Sequence, residues 1–172
     1  MATTTTSPAA NWSYHSIPYA FALGLAPHLY YTSRMMVASK GKMSMADPRT
    51  NLQAWKGKMP EILWHHLSRA RGAHLNSMEI FPLYAAAVVS ALHLMLKAGA
   101  DSKVKLAGNA AGLPAQDLNT MAYSFLGART LYCALYMTVT NDIAAFARTG
   151  VYAWSIGIPL VALWKAGNQT VI

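Results

Sequence analysis

The sequence predicts an all-α integral membrane protein, a bundle of four transmembrane helices, on three observations. The 172-residue chain is 54% hydrophobic and only 12% charged, where an ordinary soluble domain carries about 25% charged residues. Its apolar residues collect into runs separated by basic or turn-forming stretches, the pattern of helices that cross a bilayer. Two charged residues, Glu79 and Arg129, fall inside those runs away from their ends. An ionisable group in hydrocarbon is normally kept for a partner or a function.

Residues 1–10 hold Thr, Ser, Pro and Ala and no basic residue. They read as a short disordered tail and not as a cleaved signal, leaving 11–172 as one membrane domain. The first span is placed at 17–38. Pro27 within it predicts a kink, and Arg34 near its end can snorkel to the interface. Between 40 and 71 the chain turns basic, with Lys40, Lys42, Arg49, Lys56, Lys58, Arg69 and Arg71 against Asp47 and Glu61. Trp55 and Trp64 in this stretch suit an interfacial position. The expectation here is a loop carrying a short amphipathic helix that lies on the membrane surface.

The second span is placed at 73–96. A connection over 97–119 follows, punctuated by Gly99, Gly108, Gly112 and Pro114. The third span is placed at 120–140. After a turn over 141–149 comes the fourth, at 150–167, short for a bilayer unless its flanks contribute.

The net charge of +8 fits an anionic membrane surface better than nucleic acid, because the basic residues lie between apolar runs. Their bias places loop 40–71 and the turn bearing Arg148 in the cytosol and both termini opposite. The sequons at Asn11 and Asn168 would then be lumenal, but each lies too near a span for modification to be expected. The single cysteine, Cys133, excludes an intrachain disulfide and reads as packing.

Asn76 and Glu79, three apart, share one helical face. Arg129, Tyr132 and Tyr136 line another at i, i+3 and i+7. Together they predict a polar seam between the second and third helices. An Arg129–Glu79 ion pair is its simplest structural reading, and a pair and a ligand site can coexist. The seam also suits a zwitterionic ligand: Arg129 would grip a carboxylate with two parallel hydrogen bonds, Glu79 an ammonium group, and Asn76 and the tyrosines the remainder. His15, His28, His65, His66, His74 and His93 give no metal-site spacing. There is no Ser-His-Asp arrangement, nucleophilic cysteine pattern or Gly-rich phosphate loop.

The run Arg71-Gly-Ala-His-Leu-Asn76-Ser-Met-Glu79-Ile-Phe81-Pro82-Leu-Tyr84 resembles the second-helix signature of the MAPEG family, the membrane-associated proteins in eicosanoid and glutathione metabolism. Ala128-Arg129-Thr-Leu-Tyr132-Cys-Ala-Leu-Tyr136 is similar to its third-helix motif, and Arg148-Thr149 looks like its arginine–serine/threonine step. The form is nearest to fungal and bacterial members of unassigned activity.

The resemblance implies a homotrimer of the endoplasmic reticulum that binds glutathione between subunits. Arg71, Asn76, Glu79, Arg129, Tyr132 and Tyr136 then match glutathione-contacting or site-lining positions. Arg148, which would stabilise the thiolate, joins Tyr132 and Glu79 as the catalytic candidates, and a lipophilic substrate would enter from the bilayer. Three features depart from the family pattern. Gly72 stands where arginine is common, the interval from Tyr136 to Arg148 is long, and the first connection is expanded.

The activity implied is a glutathione-dependent transferase, peroxidase or isomerase. One alternative on the same scaffold is a glutathione-independent isomerase or cyclase of a hydrophobic metabolite, for example in secondary metabolism. There Glu79 or a tyrosine would move protons, and Arg129 or Arg148 would stabilise developing charge. A non-catalytic membrane scaffold is the third reading.

Overall fold

A computed structural model of the chain describes residues 10–100 and 115–168. Five helices form, α1 (Ser16–Ala38), α2 (Asn51–Ala54), α3 (Glu61–Ala100), α4 (Ala115–Thr138) and α5 (Asp142–Asn168), and no strand occurs among the described residues. The four long helices run antiparallel in chain order, with α3 packed against α1, α4 and α5. By length and composition, α3 and α5 are each able to cross a membrane.

Local chemistry fixes the ends. The Asn11 side chain accepts hydrogen bonds from the Ser13 amide (3.0 Å) and the Ser13 hydroxyl (2.6 Å) just before α1 begins. Helix α1 closes when the Gly41 amide reaches back to Met36 O (3.0 Å) and the Lys40 amide to Val37 O (3.1 Å), with Lys40 at φ 52°. This is a Schellman closure, with lysine where glycine is usual. At the start of α5 the Asn141 side chain accepts the Ile143 amide at 2.8 Å, an N-cap bond.

Several boundaries differ from the expectation, among them the starts of α4 at Ala115 and α5 at Asp142, ahead of the spans placed at 120–140 and 150–167. The polar connection after α1 ends at Pro60 and not at Arg71, because residues 61–71 are the first three turns of α3. At 40 residues, α3 is about 60 Å long, twice the hydrocarbon thickness of a bilayer, and its start carries His65, His66, Arg69 and Arg71 on continuous helix. The connecting segment holds one helical turn, Asn51–Ala54, where a short amphipathic helix was expected. Buried Asn51 pins this segment: its side chain accepts from the Ser44 amide and donates to Ser44 O, both at 2.8 Å. The Trp64 indole donates to Leu52 O at 2.8 Å. Gly99 lies inside α3 and does not end it, while 101–114 of the expected second connection lie outside the described residues.

Two larger apolar clusters and a small one, Ala91 and Leu118 with Met95, hold the bundle. Near the loop end, Tyr31, Met35, Met43, Leu52, Leu67 and Ala70 pack with Trp55 and Trp64. In the middle, Ala20, Ile80, Tyr84, Val88 and Phe125 join α1, α3 and α4. The Tyr84 and Phe125 rings are stacked at 3.7 Å, and the Tyr84 hydroxyl bonds Ser16. The polar seam lies between the two larger clusters.

Candidate active site

Helices α3, α4 and α5 bring five of the expected residues into one continuous line. The Asn76 amide donates to the Tyr132 hydroxyl at 2.5 Å, leaving the phenol proton to be donated onward. Tyr132 sits with its ring 5.4 Å from Tyr136 and 4.3 Å from the Arg129 guanidinium. The Arg148 guanidinium covers the Tyr136 ring at 4.3 Å. Arg148 thus lies against the seam despite its long interval from Tyr136, because the turn after Thr138 folds α5 directly back along α4. No carboxylate among the described residues pairs with Arg148, so its donors remain available to an anionic group.

Gly72 explains how Tyr136 reaches this position. A Cβ at Gly72 would stand 2.7 Å from the Tyr136 hydroxyl and 2.8 Å from Cε1, so the ring occupies the space a side chain would need. The Gly72 departure is therefore coupled to the tyrosine that carries Arg148.

Glu79 and Arg71 do not join the line. Glu79 is exposed on the outer face of α3, without a hydrogen bond or ion pair among the described residues. The expected Arg129–Glu79 pair is not formed; Arg129 turns instead to Ser77 Oγ (2.8 Å) and Ser155 Oγ (3.3 Å). The reason is angular. Three residues along a helix is about 60° short of a full turn, so Glu79 rotates away from the face that Asn76 presents to α4. Arg71 lies about 140° from Asn76 by the same count and faces α1 beside Tyr31. Arg129 is only 3% exposed, behind the seam and not on its open side.

Three residues that build the site escaped the sequence reading. Ser77 and Ser155 supply the acceptors for Arg129, and Tyr152 lies 5.3 Å from the Tyr132 ring. The signal for the serines was weak, a single hydroxyl inside an apolar run. Tyr152 follows Arg148 by four residues, so the two share a face.

The surface remaining offers an uncompensated guanidinium, two phenols and an amide on a helical membrane bundle, suited to an anionic or zwitterionic ligand. A family model, that of the MAPEG family, matches residues 17–168, and the chain belongs to that family. In general terms it is a membrane protein of the glutathione-related transferase, isomerase or peroxidase type. No curated protein and no solved structure matches the chain.

Proposed function

We propose that the protein is a glutathione-dependent transferase, peroxidase or isomerase acting on a lipophilic substrate. It spans the membrane of the endoplasmic reticulum four times as a homotrimer, with the loop after α1 in the cytosol. The observation that carries this reading is Arg148, seated on Tyr136 with no acidic partner among the described residues. A fixed cation beside a thiol lowers the thiol's pKa and favours the thiolate, the nucleophilic form. Tyr132, held by Asn76, is placed to donate its proton to an oxygen that gains negative charge as the substrate reacts.

The outer face of α3 supports assembly. Leu75, Glu79, Pro82, Ala86, Val89 and His93 are all exposed and alternate at spacings of four and three. That is the period of a left-handed helix–helix seam. Glu79 lies on it, so a neighbouring copy would enclose the carboxylate where it could hold the ammonium group of glutathione. Arg129 then acts through Tyr132, as a positioning residue.

Calorimetric titration of glutathione into the purified protein tests the reading. Saturable binding that weakens about tenfold in Arg148→Ala is expected, the loss of one charged hydrogen bond of about 1.5 kcal/mol. One observation favours the glutathione-independent isomerase or cyclase: Tyr136 fills the space over Gly72 with a phenol, which grips a carboxylate less firmly than a cation. Absence of glutathione binding, together with turnover of a hydrophobic metabolite that depends on Tyr132, would establish that second reading.

A further inference from the structure

A groove opens between α4 and α5 at the end of the bundle away from the candidate active site. Its volume is ≈ 470 Å³, the scale of a small-molecule pocket. Met121 of α4 and Ile158, Val161 and Ala162 of α5 make most of its wall, and Trp154 lies at its inner end. At its outer end stand two charges, Asp117 in the first turn of α4 and Lys165 in the last turn of α5. Both side chains are exposed, and no ion pair joins them.

Asn119 fixes which end of the bundle this is. Its side chain accepts the Trp12 amide and donates to Ala10 O, each at 2.8 Å. The start of α4 therefore lies beside the segment that leads into α1, opposite the loop that follows α1. Tyr136 stands about 18 Å further along α4 than Ser124, the nearest lining residue on that helix. The groove is thus separate from the polar seam.

Length and chemistry identify an occupant. From Lys165 to Trp154 helix α5 rises about 16 Å, close to half of the ~30 Å hydrocarbon core of a bilayer. The groove runs the depth of one leaflet, with its charges at head-group level and its apolar wall at acyl-chain level. Helix α5 is apolar enough to cross a membrane, yet only 17% of its most apolar stretch is buried within the bundle. Water gains few partners in a space so lined. Gly157 keeps the groove open, since a Cβ there would meet nothing within 4 Å. The α3 stripe assigned to assembly contributes no lining residue.

We propose that this groove holds one glycerophospholipid with a zwitterionic ethanolamine-phosphate head group. One acyl chain fills the groove, Lys165 meets the phosphate, and Asp117 accepts hydrogen bonds from the ammonium. The inference rests on α4 and α5 crossing the bilayer and is independent of glutathione. A choline head group has no N–H to donate to Asp117, and no aromatic ring lines the outer end to receive its quaternary ammonium. A glycerol head group brings no cation for Asp117 at all.

The test is native mass spectrometry of the full chain in detergent, titrated with phosphatidylethanolamine and phosphatidylglycerol of the same acyl chains. Saturable retention of one ethanolamine lipid per chain is expected, about threefold tighter than the glycerol lipid, the size of one exposed ion pair. Asp117→Asn should abolish that preference. Gly157→Phe, which puts a ring into the open groove, should abolish retention of either lipid while keeping the Tm measured without added lipid. Equal retention of the two lipids by the wild type, a fatty acid of the same chain length held as tightly, or undiminished retention in Gly157→Phe would each overturn the proposal. So would a change of oligomeric state in Gly157→Phe, which would assign the groove to a second copy of the chain. Should Gly157→Phe fail to fold, the head-group preference and its loss in Asp117→Asn decide.

Discussion

Tyr136 links the glycine of α3 to the arginine of α5, and the link can be cut from either side. In Gly72→Ala the new methyl would collide with the end of the Tyr136 side chain, which can swing aside. The clash cost is offset by the better helix propensity of alanine, about 1 kcal/mol. Thermal stability should therefore change little, while Arg148 loses its platform and glutathione affinity falls. A large drop in Tm with affinity intact would show that the ring is structural only. Tyr132→Phe makes the complementary prediction. It removes the acceptor of the Asn76 bond, costing about 0.5–1.5 kcal/mol of stability. Loss of a proton donor should lower turnover by about 10²-fold, which steady-state kinetics on the variant would measure. The seam itself was legible at this scale, because i, i+3 and i+7 spacing identifies a face. Which residue faces which was not: Arg129 bonds two serines and not Glu79, and helical spacing cannot orient one helix against another.

The helices depend on short-range devices that single substitutions can probe. Lys40 holds the left-handed position of the Schellman closure after α1, a conformation that costs an L-residue about 1–2 kcal/mol. Lys40→Gly should relieve much of that cost and raise Tm without altering ligand binding. In the connection that follows, Asn51→Ala should accelerate hydrogen exchange at the Ser44 amide, which Asn51 accepts, and leave the amides of α3 and α4 unchanged. The long helices were readable as apolar runs, and Pro27, Pro82 and Pro159 did not prevent them. The start of α3 was not readable. A helix that leaves the membrane loses hydrophobicity just as a loop does, so His65, His66, Arg69 and Arg71 looked like connection. Asn141 had the side chain of an N-cap, and the start of α5 behind it, with Ile143 and Phe146 exposed, stands where a turn was expected.

The molecule is an antiparallel bundle whose central helix has an exposed, evenly spaced outer stripe and a carboxylate, Glu79, on that stripe. If copies assemble through it, Ala86→Arg places a long cation in the seam. Native mass spectrometry should then find monomers in place of the wild-type oligomer, with glutathione binding lost at the same time. An unchanged oligomer would move the interface elsewhere. Composition made the membrane class legible, but the outer stripe emerges only when the packed sides of α3 are known. The central claim is that Arg148, carried on Tyr136, makes glutathione a nucleophile. Difference absorbance of the glutathione thiolate on the purified protein at neutral pH tests it most directly. The account predicts a saturable thiolate signal that is lost in Arg148→Ala; no signal, or an equal signal from both proteins, would contradict it.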